Sequence, residues 1–161
     1  MEGSTDLAPT TIEPTWQLRP ARPEDGEAVG RLFTASFALL DFLPKLHTPA
    51  EDLWFFRKVV AEQRVTVAED ESGLIGFVGE TEGWINHLYV RPDRLRAGIG
   101  SALLRCAQGH QSRLELWCFQ KNLGGRAFYE AHGFEAAAFT DGAHNEEREP
   151  DIRYVWSSRG P

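Results

Sequence analysis

With 161 residues, 42% of them apolar and including five Trp and ten Phe, the chain suits one domain with a real hydrophobic core and is too short for two ordinary ones. A formal charge of −7 excludes the Lys/Arg-rich surface that phosphate neutralisation needs, so nucleic acid is not an expected partner, whereas a cationic substrate is compatible. Cys106 and Cys118 are the only cysteines and form neither a CxxC pair nor a Cys/His cluster, which argues against a disulfide framework or metal site and for a reducing, cytoplasmic setting.

Residues 1–15, MEGSTDLAPTTIEPT, read as a solvated, disordered tail without the basic and apolar regions of a signal peptide, and no run is long enough to span a membrane. A single domain is expected over residues 16–161. A short strand at Trp16 to Arg19 precedes a helix from about Glu24, with acids in its first turn and Leu32, Phe33, Phe37 and Leu40 on one stripe. Pro44 and Pro49 break the chain, and "PAEDLWFFRKVVAEQ" begins a second helix with Trp54, Val59 and Val60 on its apolar face. An antiparallel meander follows: Val65 to Ala68, Leu74 to Glu80 and Trp84 to Val90, with turns at Gly73 and Gly83. Next come a helix to about Gln108, a strand in "RLELWCF", a helix from Asn122 to about His132 capped at Gly133, a strand in "FEAAAF" and a last strand in "DIRYVWS". The order predicts an α/β (α+β) domain built on one mixed sheet.

The stretch "LYVRPDRLRAGIGSALL" carries the chemistry. Gly98 and Gly100 stand where a helix should begin after a strand and a proline, so bare backbone, unpaired N–H groups and the positive end of a helix dipole combine into an anion site. Arg94 and Arg96 can add charge, and Ser101 a hydroxyl. A Walker A loop does not fit, because the lysine is missing; a dinucleotide fingerprint does not fit either, because Leu103 stands where its third glycine belongs.

What remains resembles the GNAT superfamily of acyl-CoA-dependent N-acyltransferases, whose pyrophosphate loop runs Gln/Arg-x-x-Gly-x-Gly/Ala after such a strand. Leu95 takes the first position of that loop, where the family has Gln or Arg. A second stretch, "NLGGRAFYEAHGFE", resembles the family element in which an Asn opens a helix near the pantetheine arm and a Tyr, seven residues further, points at the thioester sulfur. These residues are Asn122 and Tyr129. Asn122 also has an ordinary reading as a helix cap, and Tyr129 as a packing residue; the latter is expected to lie off a core stripe of Ala127, Phe128 and Ala131.

The resemblance implies a mostly antiparallel sheet of six to seven strands with about four helices, in which a splayed strand pair holds the arm of acetyl-CoA. Cofactor contacts would come from Leu88, Tyr89 and Val90, from Leu95, Arg96, Ala97, Gly98, Ile99, Gly100 and Ser101, and from Asn122, Phe128 and Tyr129. The N–H of Leu88 would polarise the acyl carbonyl, and Tyr129 would give a proton to the leaving thiol. Direct transfer to a small-molecule or peptide amine requires a base as well, because an alkylammonium has a pKa of about 10.4. Candidates are His87, beside the carbonyl site, and Glu82 or Glu80 through water. The acceptor is expected to enter opposite the cofactor, past Phe33, Phe37, Phe42, His47, Trp84, Trp117 and the acidic loop "DGAHNEEREPD". A homodimer is common in the superfamily. Against the enzyme stands a non-catalytic acyl-CoA-binding or interaction protein with a degenerate site, which Leu95 and the missing strand carboxylate favour and Tyr129 opposes.

Overall fold

The computed structural model describes residues 15–159, so the expected tail lies, except for Thr15, outside the described residues. Seven strands form one sheet: β1 (Gln17–Pro20), β2 (Arg64–Asp70), β3 (Gly73–Thr81), β4 (Trp84–Val90), β5 (Arg113–Phe119), β6 (Glu135–Phe139) and β7 (Asp151–Ser157). Their order is β1-β2-β3-β4-β5-β7-β6, and only β4 and β5 run parallel. The helices are α1 (Gly26–Phe37), α2 (Pro49–Glu62), α3 (Ile99–His110) and α4 (Leu123–Ala131). A fold of this kind, mixed and mostly antiparallel with four helices, matches the expectation.

Period-two alternation divides the core between the two faces of the sheet. Ala68, Val78, Ile85, Leu114, Leu116, Ile152 and Tyr154 point to one side, where α3 lays Ile99, Leu103, Leu104 and Ala107 against them. Val65, Val67 and Phe77 point to the other, under Val29, Leu32, Phe56 and Val59 of α1 and α2. The face of α2 differs from expectation, because Phe56 and Val59 carry it while Trp54 is 67% exposed. Helical spacing places Leu53, Phe56, Val59 and Val60 on one stripe and turns Trp54 away from it.

The α1/α2 pair covers only the β2–β4 half of its face. On the β5 half the outward residues Glu115, Trp117 and Phe119 are left to the loop between β6 and β7. Between the two halves the sheet opens: β4 and β5 share one register pair, Trp84 with Glu115, secured by the Glu115 N–H donating to Gly83 O at 2.9 Å. From there to Val90 the strands form a wedge. β4 also bulges at Asn86, since Gly79 faces His87 and Glu80 faces Ile85.

Candidate active site

α3 begins at the open end of the wedge, and its first turn is bare. Gly98, the N-cap, has φ +83°, a left-handed conformation that a side chain disfavours, and it offers no side-chain acceptor. Ala102 is the first residue whose N–H reaches a carbonyl of this helix, that of Gly98 at 3.1 Å, so the N–H groups of Ile99, Gly100 and Ser101 remain free for an external acceptor. No acidic side chain stands in this turn. A Cβ built on Gly98 would meet nothing within 4 Å, so the space over the turn is open; one on Gly100 would touch Phe128 at 3.4 Å and Val90 at 3.6 Å. The Ile99 side chain is buried against the sheet and leaves only its backbone to a ligand. Arg94 is bound to Asp70 at 2.5 Å, which removes it as a substitute for the family's Gln or Arg, whereas the exposed Arg96, itself left-handed at φ 65°, has no ion pair among the described residues. Leu95 and Ala97 are exposed beside it.

The Arg91 N–H donates to Ile75 O at 2.8 Å, which fixes the hydrogen-bonded register of β4 on β3. Antiparallel alternation then points the N–H and C=O of Tyr89 to β3 and those of Leu88 and Val90 into the wedge. Ser36, at the end of α1, donates its hydroxyl to Val90 O at 2.9 Å. No local signal in the sequence connects these two residues, which are 54 positions apart.

Across the wedge, Asn122 caps α4 by accepting the Gly125 N–H at 3.0 Å. Gly125 is required for this closeness, since a Cβ there would lie 2.6 Å from Asn122 Nδ2. The expected core stripe of α4 is corrected: Ala127 and Ala131 are exposed, while Phe128 and Tyr129 pack on the core. The half-buried face runs through Asn122, Gly125, Arg126 and Tyr129, a full helical repeat. The Tyr129 ring has its centroid 5.3 Å from Phe128, 5.8 Å from Phe134 and 6.3 Å from Tyr154, and its hydroxyl makes no hydrogen bond among the described residues. Burial raises its pKa, so the phenol stays protonated.

His87 points to the α1/α2 face, its ring 5.0 Å from Phe56, 6.0 Å from Phe55 and 6.5 Å from Phe77. This apolar surround lowers its pKa to about 4, which suits a neutral packing residue and makes a poor base for an ammonium. Glu82 sits exposed in the β3–β4 turn, and Glu80 is buried on the α3 side, bound to His110. The acceptor-side residues do come together: Trp84 stacks on Trp117 at 6.4 Å, His144 lies 4.5 Å from Trp117, Phe42 meets Phe119 edge-on at 6.0 Å, and His47 pairs with Glu146 at 2.8 Å. Phe33 instead packs in the core between Phe56 and Tyr89. A cavity of ≈270 Å3 opens here, lined by Trp117, Phe119, His144, Asn145, Glu147 and Asp151, with Cys118 at its floor. Of the loop acids, Glu146 holds His47, Glu149 holds Lys121 at 2.9 Å, and Asp151 holds His144 at 2.9 Å; Glu147 has no ion pair among the described residues. Tyr89 is pushed up by burial, and the charge of Glu147 is near enough to add to the effect.

Residues 61–136 match the profile of the acetyltransferase (GNAT) domain, the segment that runs from the end of α2 past the start of α3 to the first residues of β6. The match covers just under half of the chain and marks this segment as similar to the GNAT superfamily. The chain is 39% identical over 69 residues to peptidyl-lysine N-acetyltransferase YiaC of Escherichia coli, 42% of this chain and 47% of that protein. The chain spans about half the length of the curated relatives it matches. Its fold is that of a GCN5-related N-acetyltransferase from Rhodopseudomonas palustris, with a TM-score of 0.76 at 21% identity over 91% of this chain and 98% of the other. The PaiA N-acetyltransferase of Thermoplasma acidophilum, solved in complex with coenzyme A, has a TM-score of 0.68 at 18% identity over 89% and 99%. Among the described residues, no helix is long and apolar enough to cross a membrane.

Proposed function

We propose that the protein is an N-acetyltransferase that moves an acetyl group from acetyl-CoA directly to the primary amine of a small molecule or peptide, within a ternary complex. The observation that carries the reading is the uncapped, acid-free start of α3 at the mouth of a wedge whose inner edge presents Leu88 and Val90. A diphosphate fits this donor set: three backbone N–H groups, a helix dipole, open space over Gly98 and the free cation of Arg96. Phe128 and Asn122 would flank the arm, and Leu88 and Val90 would pair with its amides as a strand would. Bound acetyl-CoA supplies the acyl group as a thioester.

The protein's own groups do the rest by position and polarity. The Leu88 N–H, aimed into the wedge, is a donor for an oxygen that gains charge during transfer. Tyr129 keeps its proton and has a free hydroxyl, so it can donate to a departing thiolate. Ser36 holds the Val90 carbonyl in place. On the other side, Trp117, stacked on Trp84, and His144 wall a cavity in which Glu147 is the carboxylate without an ion pair among the described residues, so Glu147 holds the acceptor ammonium and takes up its proton. His87, neutral and enclosed by Phe rings, shapes the wall. The short match to a peptidyl-lysine acetyltransferase supports a lysine-type amine.

The test is a calorimetric titration with acetyl-CoA, free CoA and NAD, followed by thiol-release assays on a lysine-containing peptide and on small primary amines. Selective binding of the CoA compounds with amine-dependent thiol release is expected; binding without release on any amine would favour a non-catalytic acyl-CoA-binding protein, and no binding would overturn the reading.

A further inference from the structure

At the far end of α3 from the cradle, three side chains that the proposed site does not use stand in a row. Cys106 and His110 occupy positions i and i+4 of α3, one above the other, with Sγ 4.0 Å from Nε2. The other ring nitrogen, Nδ1, lies 2.9 Å from Oε2 of Glu80 on β3. Glu80 is only 2% exposed, and its Oε1 has no hydrogen-bond partner. Thr66 on β2 closes the group, its Oγ1 3.9 Å from Cys106 Sγ, and Arg64 stands opposite Glu80 in the β2–β3 register. His110 keeps 29% of its side chain exposed, so the row opens to solvent at the imidazole.

A buried carboxylate with a single bonded partner is costly unless that partner carries positive charge. His110 lies between that carboxylate and the Cys106 thiol, its Nε2 4.0 Å from Sγ, and is the ring placed to take the thiol proton. Because Nδ1 is tied to Glu80, Nε2 is the nitrogen turned to the sulfur. Nucleophile, base and orienting acid in this order are the arrangement that activates thiols for covalent chemistry. Among the described residues no group of three or more His, Cys, Asp or Glu is placed to hold a metal ion. Cys118 offers the contrast: its thiol is buried, points at Phe119 O at 3.7 Å and is pushed up to about 12 by burial.

We propose that Cys106 is a nucleophilic thiol that accepts acyl groups from acyl thioesters, with His110 as its base and Glu80 as the positioning residue. As the sulfur attacks the carbonyl carbon, its proton passes to His110 Nε2. The new C–S bond forms, the C–S bond of the donor thioester breaks, and the departing thiolate takes the proton back from His110. The products are a Cys106 thioester and a free thiol, without any change of oxidation state.

The test uses the full chain and a small S-acetyl thioester without a nucleotide, so the outcome is independent of the cradle on α3. Peptide mass spectrometry after timed exposure should show one acetyl group on Cys106, removable by hydroxylamine, at roughly tenfold or more the rate of a short unstructured peptide carrying the same cysteine. Cys118 should stay unmodified. His110→Gln and Glu80→Gln should each return the rate towards that of the peptide; should Glu80→Gln not fold, His110→Gln, at a part-exposed ring, decides. A Cys106 rate no greater than the peptide's, or a rate unchanged in His110→Gln, would overturn the proposal.

Discussion

The starts of α2 and α3 solve the same problem in opposite ways. Every helix begins with N–H groups that its own carbonyls cannot reach. In α2 the Thr48 hydroxyl accepts the Glu51 N–H at 3.1 Å, Glu51 accepts the Thr48 N–H at 2.9 Å, Pro49 dispenses with a donor, and Glu51 and Asp52 put negative charge on the positive end of the dipole. In α3 a left-handed glycine replaces the cap, no acid follows, and three N–H groups face open space. α4 lies between them, with one donor taken by Asn122. A start left uncapped forgoes about 1 kcal/mol of stability, and an anion is what recovers it. The difference therefore separates a helix end closed by its own residues from one left open, the end that the proposed function assigns to the diphosphate.

The most drastic way to break the comparison is to give α3 the cap of α2. Gly98→Asp supplies an acceptor and a negative charge where the diphosphate is to sit, and forces a side chain onto φ +83°. Acetyl-CoA affinity should fall about 100-fold or more, equivalent to about 2.7 kcal/mol, in the calorimetric titration; retention of wild-type affinity would mean that the cradle lies elsewhere. Tyr129→Phe should sharpen the contrast by separating chemistry from binding. Turnover should drop by roughly 100-fold with the acetyl-CoA Kd kept within about twofold, because the ring contacts persist and only the hydroxyl is lost. Glu147→Gln comes next: it should raise the KM for the amine by about tenfold without changing cofactor affinity, and an unaltered KM would remove Glu147 from the acceptor site.

The bare start of α3 was readable in the sequence because its signal is local: Gly98 and Gly100 after a strand and Pro92 mark it without any knowledge of the rest. The strand bounds Trp84–Val90, Arg113–Phe119 and Asp151–Ser157 were readable for the same reason, since alternation is short-range. What failed depended on packing. Tyr129 was expected off the core stripe of α4 and lies on it, because α4 rests over an open wedge and buries a face through Asn122 and Gly125 rather than one through its alanines. The insertion of β7 between β5 and β6, the bond from Ser36 to Val90 and the unpaired state of Glu147 join residues far apart in the chain. His87 looked like a base by residue type; only the three Phe rings around it reveal a neutral imidazole.

That imidazole gives a pH test of the face between α2 and β4. Its folded pKa, about 4, lies below the usual value of 6.5, so between these values the unfolded chain binds the extra proton. Stability is therefore intact above about pH 6.5 and falls as the pH drops towards 4, by at most about 1.4 kcal/mol per pH unit. Chemical denaturation at pH 7 and pH 4.5 should show a smaller acid loss in His87→Leu than in the wild type, by about 1 to 3 kcal/mol. Equal losses would show that the ring is solvated when protonated and that the Phe enclosure opens.

The smallest effect closes the comparison from the other side. Thr48→Ala removes the hydroxyl that accepts the Glu51 N–H and so unmakes the reciprocal cap of α2. Its cost should be about 1 kcal/mol in denaturant unfolding, the usual value of a lost hydroxyl cap. Acetyl-CoA affinity should not move, because the exposed start of α2 keeps Glu51 and Asp52, which repel an anion, and takes no part in the wedge. A fall in affinity without a fall in stability would invert the assignment, making the capped helix the ligand's and the bare one merely tolerated. A fall in stability alone is the outcome that a division of labour between the two helix starts requires.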